Sequence, residues 1–289
     1  MKKITQKPIF QPKNKEELQG FIRAEIMQSG HQCDLNHIDL SCVSDLSSLF
    51  EGLVFNGDIS QWDVSGVEDM QGMFEKSLFN GDISSWDVSR VKTMQSMFQG
   101  SLFNRDISKW NVSGVTSMRN MFHGAGFNGD ISSWDVSKVS DMKTMFTFSR
   151  FNTRISRWDV SSVVDMTGMF CESAFNKNIS RWNTQEVTDM SYMFCGTKFN
   201  GDLSKWDVSR VKSMKGMFLE SGFCGDISGW NLSSVSEKEN IFLDSKMAKK
   251  LKKQNPTLDE VKSHFLAVKL NFNLKPALLE RSNRSKVRL

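Results

Sequence analysis

The sequence predicts an α/β repeat solenoid in which each 24-residue coil contributes one short parallel strand and one short helix, with helical caps. Three observations lead to this prediction: a fixed tryptophan interval, a motif repeated around each tryptophan, and a change of apolar periodicity inside the motif. The interval is 24 residues at every step, and the tryptophans are Trp62, Trp86, Trp110, Trp134, Trp158, Trp182, Trp206 and Trp230. So rigid a period means that every coil stacks on its neighbour in the same way.

One well-preserved unit comprises residues 79–98, and four variable residues lead to the next unit. Its first half, Ile83 to Val88, has the L-x-x-L-x-L spacing of a leucine-rich repeat, so we expect a leucine-rich-repeat-like strand there. Gly81 and its equivalents suit a turn with positive φ. From Ser89, a plausible N-cap, the apolar residues fall on one face of a helix, and they are Val91, Met94, Met97 and Phe98.

Three segments follow from the extent of the repeat. They are residues 1–30 with an N-terminal capping helix, 31–246 with one degenerate and eight full repeats, and 247–289 with a C-terminal capping helix and a basic tail. In the degenerate copy Ile38 stands where the tryptophan is expected. Asn14 with Glu17, and Thr257 with Glu260, have the spacing of capping boxes, so a helix is expected to begin at each pair.

The charge is unevenly distributed along the chain. The formal net charge is +4, but residues 245–289 hold twelve basic and three acidic residues, so the body before them is mildly acidic. The start of the chain lacks the apolar run of a signal peptide, and no stretch has the length of a membrane span. Five scattered cysteines without a CxxC pair predict reduced thiols rather than a disulfide scaffold.

The repeated string Phe-Asn-Gly-Asp-Ile-Ser-x-Trp-Asp-Val-Ser-x-Val-x-x-Met-x-x-Met-Phe resembles the repeat of bacterial surface proteins and mycoplasma lipoproteins that are grouped as BspA-like leucine-rich repeat proteins. The resemblance extends from Cys33 to Phe242. It implies a bacterial repeat protein without known enzymatic activity and with a role in surface attachment or protein binding.

A recognition face is predicted from the residues that lie between the apolar columns. Its variable column places basic side chains in the middle and later coils, at Lys109, Arg157, Arg181 and Lys205. The next column supplies carboxylates, of which the candidates are Asp87, Asp135, Asp159 and Asp207. The alternative is a solvated face on which the aspartates hydrogen-bond local backbone N–H groups.

Other residues could bind a metal ion or form a disulfide, but simpler roles explain them. The acidic column that contains Asp82 and Asp130 is interrupted by Arg154 and Asn178, and its Asn-Gly-Asp motif has the wrong period for glycine-rich calcium-binding rolls. Cys171 and its counterpart 24 residues later are close enough to bridge if oxidised, although two reduced thiols are the simpler interpretation. No catalytic arrangement, cofactor site or metal site is expected, since the histidines are scattered and no phosphate-binding loop is present.

The sequence therefore favours a non-enzymatic interaction module, monomeric and without a transmembrane segment, that binds a protein or glycan partner. Two settings stay open: an adhesion module at the bacterial surface, where the family is typically found, and an intracellular scaffold or leaderless secreted effector, as the missing signal peptide suggests. Nucleic-acid binding through the basic tail is a third hypothesis, and a steep loss of affinity with salt would mark it.

Overall fold

The computed structural model describes the backbone of residues 9–286 and the side chains of residues 9–272. Its helices are α1 (Lys15–Ser29), α2 (Lys246–Leu251) and α3 (Leu258–Lys286). Between α1 and α2 the chain consists of turns and isolated parallel bridges, and no named strand occurs in the described part of the chain. The helices therefore lie only at the two ends of the repeat region.

The coils stack in register at an offset of 24 residues. One ladder of parallel bridges runs from Asp45 through Asp69 and Thr93 to Glu237, always joining a residue to the one 24 positions later. The degenerate first copy keeps this register, since Asp34 bridges to Asp58. The period read from the tryptophans is thus the repeat of the three-dimensional structure.

The predicted α/β solenoid is wrong. The first reason is that turns occupy the segment expected to form the leucine-rich-repeat-like strand. The N–H of Trp86 donates to the carbonyl of Ile83 at 3.2 Å, and the N–H of Val91 donates to Val88 at 3.0 Å. These bonds close local turns, whereas a strand would direct its N–H groups to a neighbouring strand. Each apolar side chain is therefore delivered to the core by a turn.

The helix predicted from Ser89 is also wrong. The N–H groups of Met94 and Phe98 donate to the next coil, at the carbonyls of Ser117 (3.1 Å) and Met121 (3.0 Å), and not to a carbonyl four residues back. Ser96, between them, has a φ of 54°, in the left-handed region. The segment is a run of turns whose alternate N–H groups join coil to coil.

The predicted core columns are buried as expected. The Phe, Ile, Trp, Val and Met columns lie almost entirely below 5% exposure, and the replacement Ile38 is buried with them. Rings of successive coils stack, for example Phe98 on Phe122 with centroids 5.7 Å apart. Because most of these contacts join neighbouring coils, one unit alone has no enclosed core.

The Phe-Asn-Gly segment corrects a further prediction. Gly81 does not have positive φ; instead, a Cβ added there would lie 2.7 Å from the ring of Phe79. Arg105 occupies the equivalent position in the next coil, so the preference for glycine is not absolute. The asparagine before it belongs to a ladder, in which the N–H of Asn80 donates to Oδ1 of Asn56 at 2.8 Å.

Both ends of the stack are covered. At the front, α1 buries Leu18 and Ile22, and Asn14 accepts the N–H of Glu17 at 2.9 Å as predicted. At the back, Thr257 and Glu260 form the predicted reciprocal capping box, with bonds of 3.0 and 3.3 Å. The sequence missed the short α2, which precedes α3. The division of the chain at residues 30 and 246 stays a prediction.

Candidate interaction surface

The variable column of the predicted recognition face lies on the outside of the coils. Each of its residues is exposed, including the four basic candidates Lys109, Arg157, Arg181 and Lys205. In every coil the next residue is the buried tryptophan, whose N–H closes the turn; that of Trp110 reaches Ile107 at 3.2 Å. A buried tryptophan therefore holds each exposed neighbour in one position along the stack.

The neighbouring aspartate column is exposed and bonded to its own backbone. Oδ1 of each candidate accepts the N–H of the serine two residues later at 2.9–3.1 Å; the acceptors are Asp87, Asp135, Asp159 and Asp207. That serine lowers the pKa of its aspartate, first through its hydroxyl and then through its N–H, at Asp87, Asp135 and Asp207. These carboxylates therefore stabilise local turns by accepting backbone N–H bonds, and they remain accessible on the surface.

The basic candidates differ in what lies beside them. Lys109 is close to Asp106 and Lys205 is close to Asp202, and each lysine contributes to lowering the pKa of its aspartate after the larger effects of the serine two residues on. Arg157 has Arg154 in the place of that aspartate. The positive charge of the column is therefore locally balanced at the lysines and unbalanced around Arg157.

A search of protein-family models gave one family, described as "Mycoplasma protein of unknown function, DUF285". It matches residues 21–125, 78–173 and 147–255, three overlapping stretches that together extend from α1 to the last residues before α3. The chain belongs to the DUF285 family. Searches of curated proteins and of solved structures found no match.

The DUF285 matches make this a tandem-repeat protein of a family of unknown function. They cover every exposed candidate named above, so these residues lie within the family's repeat. Among the described helices, none is long and apolar enough to cross a membrane. No group of three His, Cys, Asp or Glu side chains in the described residues is placed to hold a metal ion.

The paired cysteines of this DUF285 chain lie in adjacent coils. A hydrogen bond between Cys171 and Cys195, together with burial, raises the pKa of Cys171. Both thiols are free. The simpler of the two sequence interpretations, reduced thiols in one column, therefore describes the structure.

Two lysines of the basic tail bond to the last coil: Nζ of Lys262 donates to the carbonyl of Trp230 at 2.7 Å, and Lys269 pairs with Asp226 at 2.8 Å. Within the tail, Lys250 of α2 lies 4.7 Å from the ring centre of Phe265 in α3. Truncation at Ser245 would remove α2 and α3 as well as the charge. It is therefore a poor test of nucleic-acid binding, and charge-reversing substitutions are the better choice.

Two exposed features lie outside the eight residues predicted for the recognition face. One is Arg154, visible in the sequence only as a break in the acidic column. The other is an apolar column just before the repeated phenylalanine, formed by Val54, Leu78 and Leu102, which are 52%, 45% and 61% exposed. The sequence signal for the second was an apolar residue at the same register in three successive coils.

Proposed function

We propose that this chain is a non-catalytic interaction module that presents the exposed residues of its coils to a macromolecular partner. The observation that carries the proposal is that recurring and variable residues have different roles inside each coil. Residues that recur in every coil bury side chains or cap local turns, whereas the variable column is exposed and changes its charge from coil to coil. An exposed column whose charge varies from coil to coil, on a stack held together by recurring buried residues, is what a partner-binding surface requires of a repeat protein.

The chemistry of the exposed sites supports a large partner over a small substrate. The apolar columns close on themselves, and their tryptophan N–H groups are already bonded within the stack. Small-molecule sites are enclosed and largely apolar, whereas the open pocket near Arg157 is bordered by two arginines and two serines. An external surface contacted by another macromolecule fits this chemistry better.

The proposal takes two forms, which differ in location. One is adhesion to a protein or glycan at the cell surface, which kinship with BspA-like proteins would imply. The other is an intracellular scaffold or released effector that uses the same column. Protease treatment of intact cells followed by fractionation distinguishes them. Cleavage on intact cells supports adhesion, recovery in the medium supports a released effector, and strict retention in the cytosol supports a scaffold.

Site-specific photo-crosslinking in the native host tests the proposal itself. A photoreactive amino acid at Ser133, in the variable column, should give a discrete adduct with a partner. The matched control is the same amino acid at Val164, which is exposed in a different column. Adducts from neither position, or the same adducts from both, would contradict the assignment of the surface.

A further inference from the structure

The turn at Arg154 lacks a carboxylate that equivalent turns possess. In six coils an aspartate Oδ1 accepts the N–H of the serine two residues later at 2.8–2.9 Å, and these aspartates are Asp58, Asp82, Asp106, Asp130, Asp202 and Asp226. Asn178 accepts the same bond from Ser180 at 2.9 Å. Arg154 cannot accept it, so the N–H of Ser156 has no acceptor among the described residues.

This open donor lies in a basic pocket. The pocket has a volume of about 340 Å³ and is lined by Ser132, Arg154, Ser156 and Arg157. Both arginines are exposed, and neither forms an ion pair within the part of the chain described. The two guanidinium groups, the Ser156 hydroxyl and the Ser156 N–H provide donors there, whereas the N–H and hydroxyl of Ser132 are already bonded to Asp130.

The positive charge extends into the next coil. There Lys177 and Arg181 occupy the columns of Gly129 and Ser133, and the acidic column carries Asn178. Between Asp130 and Asp202 this column therefore has no carboxylate. In the coil of Arg157, the carboxylate of Asp159 belongs to the neighbouring column and accepts the N–H of Ser161. We call Arg154, Arg157, Lys177 and Arg181 the basic patch.

We propose that the basic patch binds an acidic segment of a partner protein, with one carboxylate of that segment accepting the N–H of Ser156. The incoming oxygen would take the position that an aspartate Oδ1 occupies in other coils, while Arg154 and Arg157 pair with the carboxylates. Charge-assisted bonds of this kind are about twice as strong as neutral ones. The inference rests on the proposed function, because it names the chemistry of the partner for the same exposed surface.

A short acidic peptide fits better than nucleic acid. The basic patch spans two coils, about 5 Å apart at the spacing of parallel-paired chains, and is bordered on both sides by aspartates. Those aspartates lie within a Debye length of about 8 Å and would repel a polyanion that continues along the stack. The column also lacks the aromatic side chains on which single-stranded bases stack.

The repeat itself supplies variants that preserve the fold. Arg154→Asp and Arg157→Ser introduce the residues found at the same columns one coil earlier, Asp130 and Ser133. The new aspartate should close the turn with Ser156, so the double variant is expected to unfold at the same or a higher temperature. Lys109→Asp with Lys205→Ser is the matched control, since it changes the net charge by the same three units at two basic residues outside the basic patch.

Fluorescence anisotropy of a labelled, amidated peptide with two adjacent glutamates between glycines, at low salt, is the experiment. Binding should weaken at least about tenfold in the Arg154→Asp, Arg157→Ser variant and less than about twofold in the charge-matched control. The amide resonance of Ser156 should shift downfield on adding the peptide to the wild-type protein, a change that diffuse electrostatic attraction would not produce. Equal affinities of the double variant and wild type, or an unmoved Ser156 resonance, would overturn the proposal.

Competing occupants give distinct results. Tighter binding of an oligonucleotide or of inorganic phosphate that depends on Arg154 would assign the site to phosphate groups and overturn the acidic segment. Self-association abolished by the double variant would assign it to a second copy. If the Ser133 adduct persists in the double variant, the proposed function stands and this inference fails; if no partner adduct forms in any variant, the proposed function fails independently.

Discussion

The indole N–H of Trp134 donates to the backbone carbonyl of Ile107, 27 residues earlier in the chain, at 3.1 Å. All eight tryptophans make the equivalent bond, at 2.9–3.2 Å. Each thus ties its coil to the preceding one while its ring fills the core. No other apolar side chain combines this volume with a donor.

Replacement of Trp134 should therefore have two separable costs. Trp134→Ala should lower the free energy of unfolding by about 3–5 kcal/mol through the cavity it leaves. Trp134→Phe should cost less, with about 1 kcal/mol from the lost bond, because the Ile107 carbonyl also accepts the N–H of Trp110. Urea unfolding measures both, and an unchanged midpoint for Trp134→Ala would refute the core assignment.

The left-handed turn at Thr144 offers a test of the backbone conformation. Thr144 has a φ of 54°, unfavourable for a β-branched residue, and the same column carries asparagine at Asn120. Thr144→Asn should raise the free energy of unfolding by about 0.5–1 kcal/mol. Thr116→Asn, on an exposed residue without positive φ, is the control and should change it by less than about 0.5 kcal/mol. An α-helix through residue 144 predicts no difference, since the two residues have similar helix propensities.

The aspartate turns predict an acid limit to stability. The N–H of Ser84 lowers the pKa of Asp82, and the hydroxyl of Ser89 lowers the pKa of Asp87. A carboxyl whose pKa is lower in the folded state stabilises the fold above its unfolded pKa of about 3.9, and this contribution is lost as the pH falls through the folded value. These groups should leave the urea midpoint constant between about pH 5 and 8. At pH values below about 4 their protonation should lower it.

Asparagine in place of aspartate checks the cause of that limit. Asn178 accepts the same N–H bond without titrating in this range. A variant with asparagine throughout the column of Asp82 should retain its midpoint at neutral pH and lose less of it at pH 3. An identical acid slope in this variant and the wild type would show that other groups are responsible.

The C-terminal cap depends on the first turns of α3. Leu258 is buried at 4% exposure, whereas Leu266 on the same helix is 52% exposed. Leu258→Ala should reduce the free energy of unfolding by about 2–4 kcal/mol, and Leu266→Ala should change it by less than about 0.5 kcal/mol. Thermal unfolding of both variants tests whether α3 covers the last coil, and equal effects would argue against it.

The sequence predicted what depends on spacing between coils and missed what depends on bonding within them. Fixed intervals revealed the period, the buried columns and the capping pairs such as Asn14 and Glu17. The spacing of Val91, Met94 and Met97 is shared by a helix and by a run of turns, and the local pattern does not distinguish them. What decides is the acceptor of each N–H, which for Met94 lies 23 residues further along the chain, at Ser117.

The candidate surface shows the same limit. Exposure of Arg157 followed from its position between buried neighbours. The break at Arg154 was visible, but its consequence was not, because the sequence does not show that Asp130 and its equivalents cap the N–H two residues later. Only with that bond known does an arginine in the column imply an open donor at Ser156.

Small-angle scattering of repeat-deletion variants tests the stacked-coil architecture most directly. Removal of residues 127–150 deletes one unit, and removal of 127–174 deletes two, each rejoining the chain in the same register. Because neighbouring coils supply the contacts, both variants should stay folded. The wavelength of maximum tryptophan emission should be unchanged, and the longest dimension should be reduced by about 5 and 10 Å. Unfolded, expanded chains, or compact particles of unchanged length, would contradict the in-register stack.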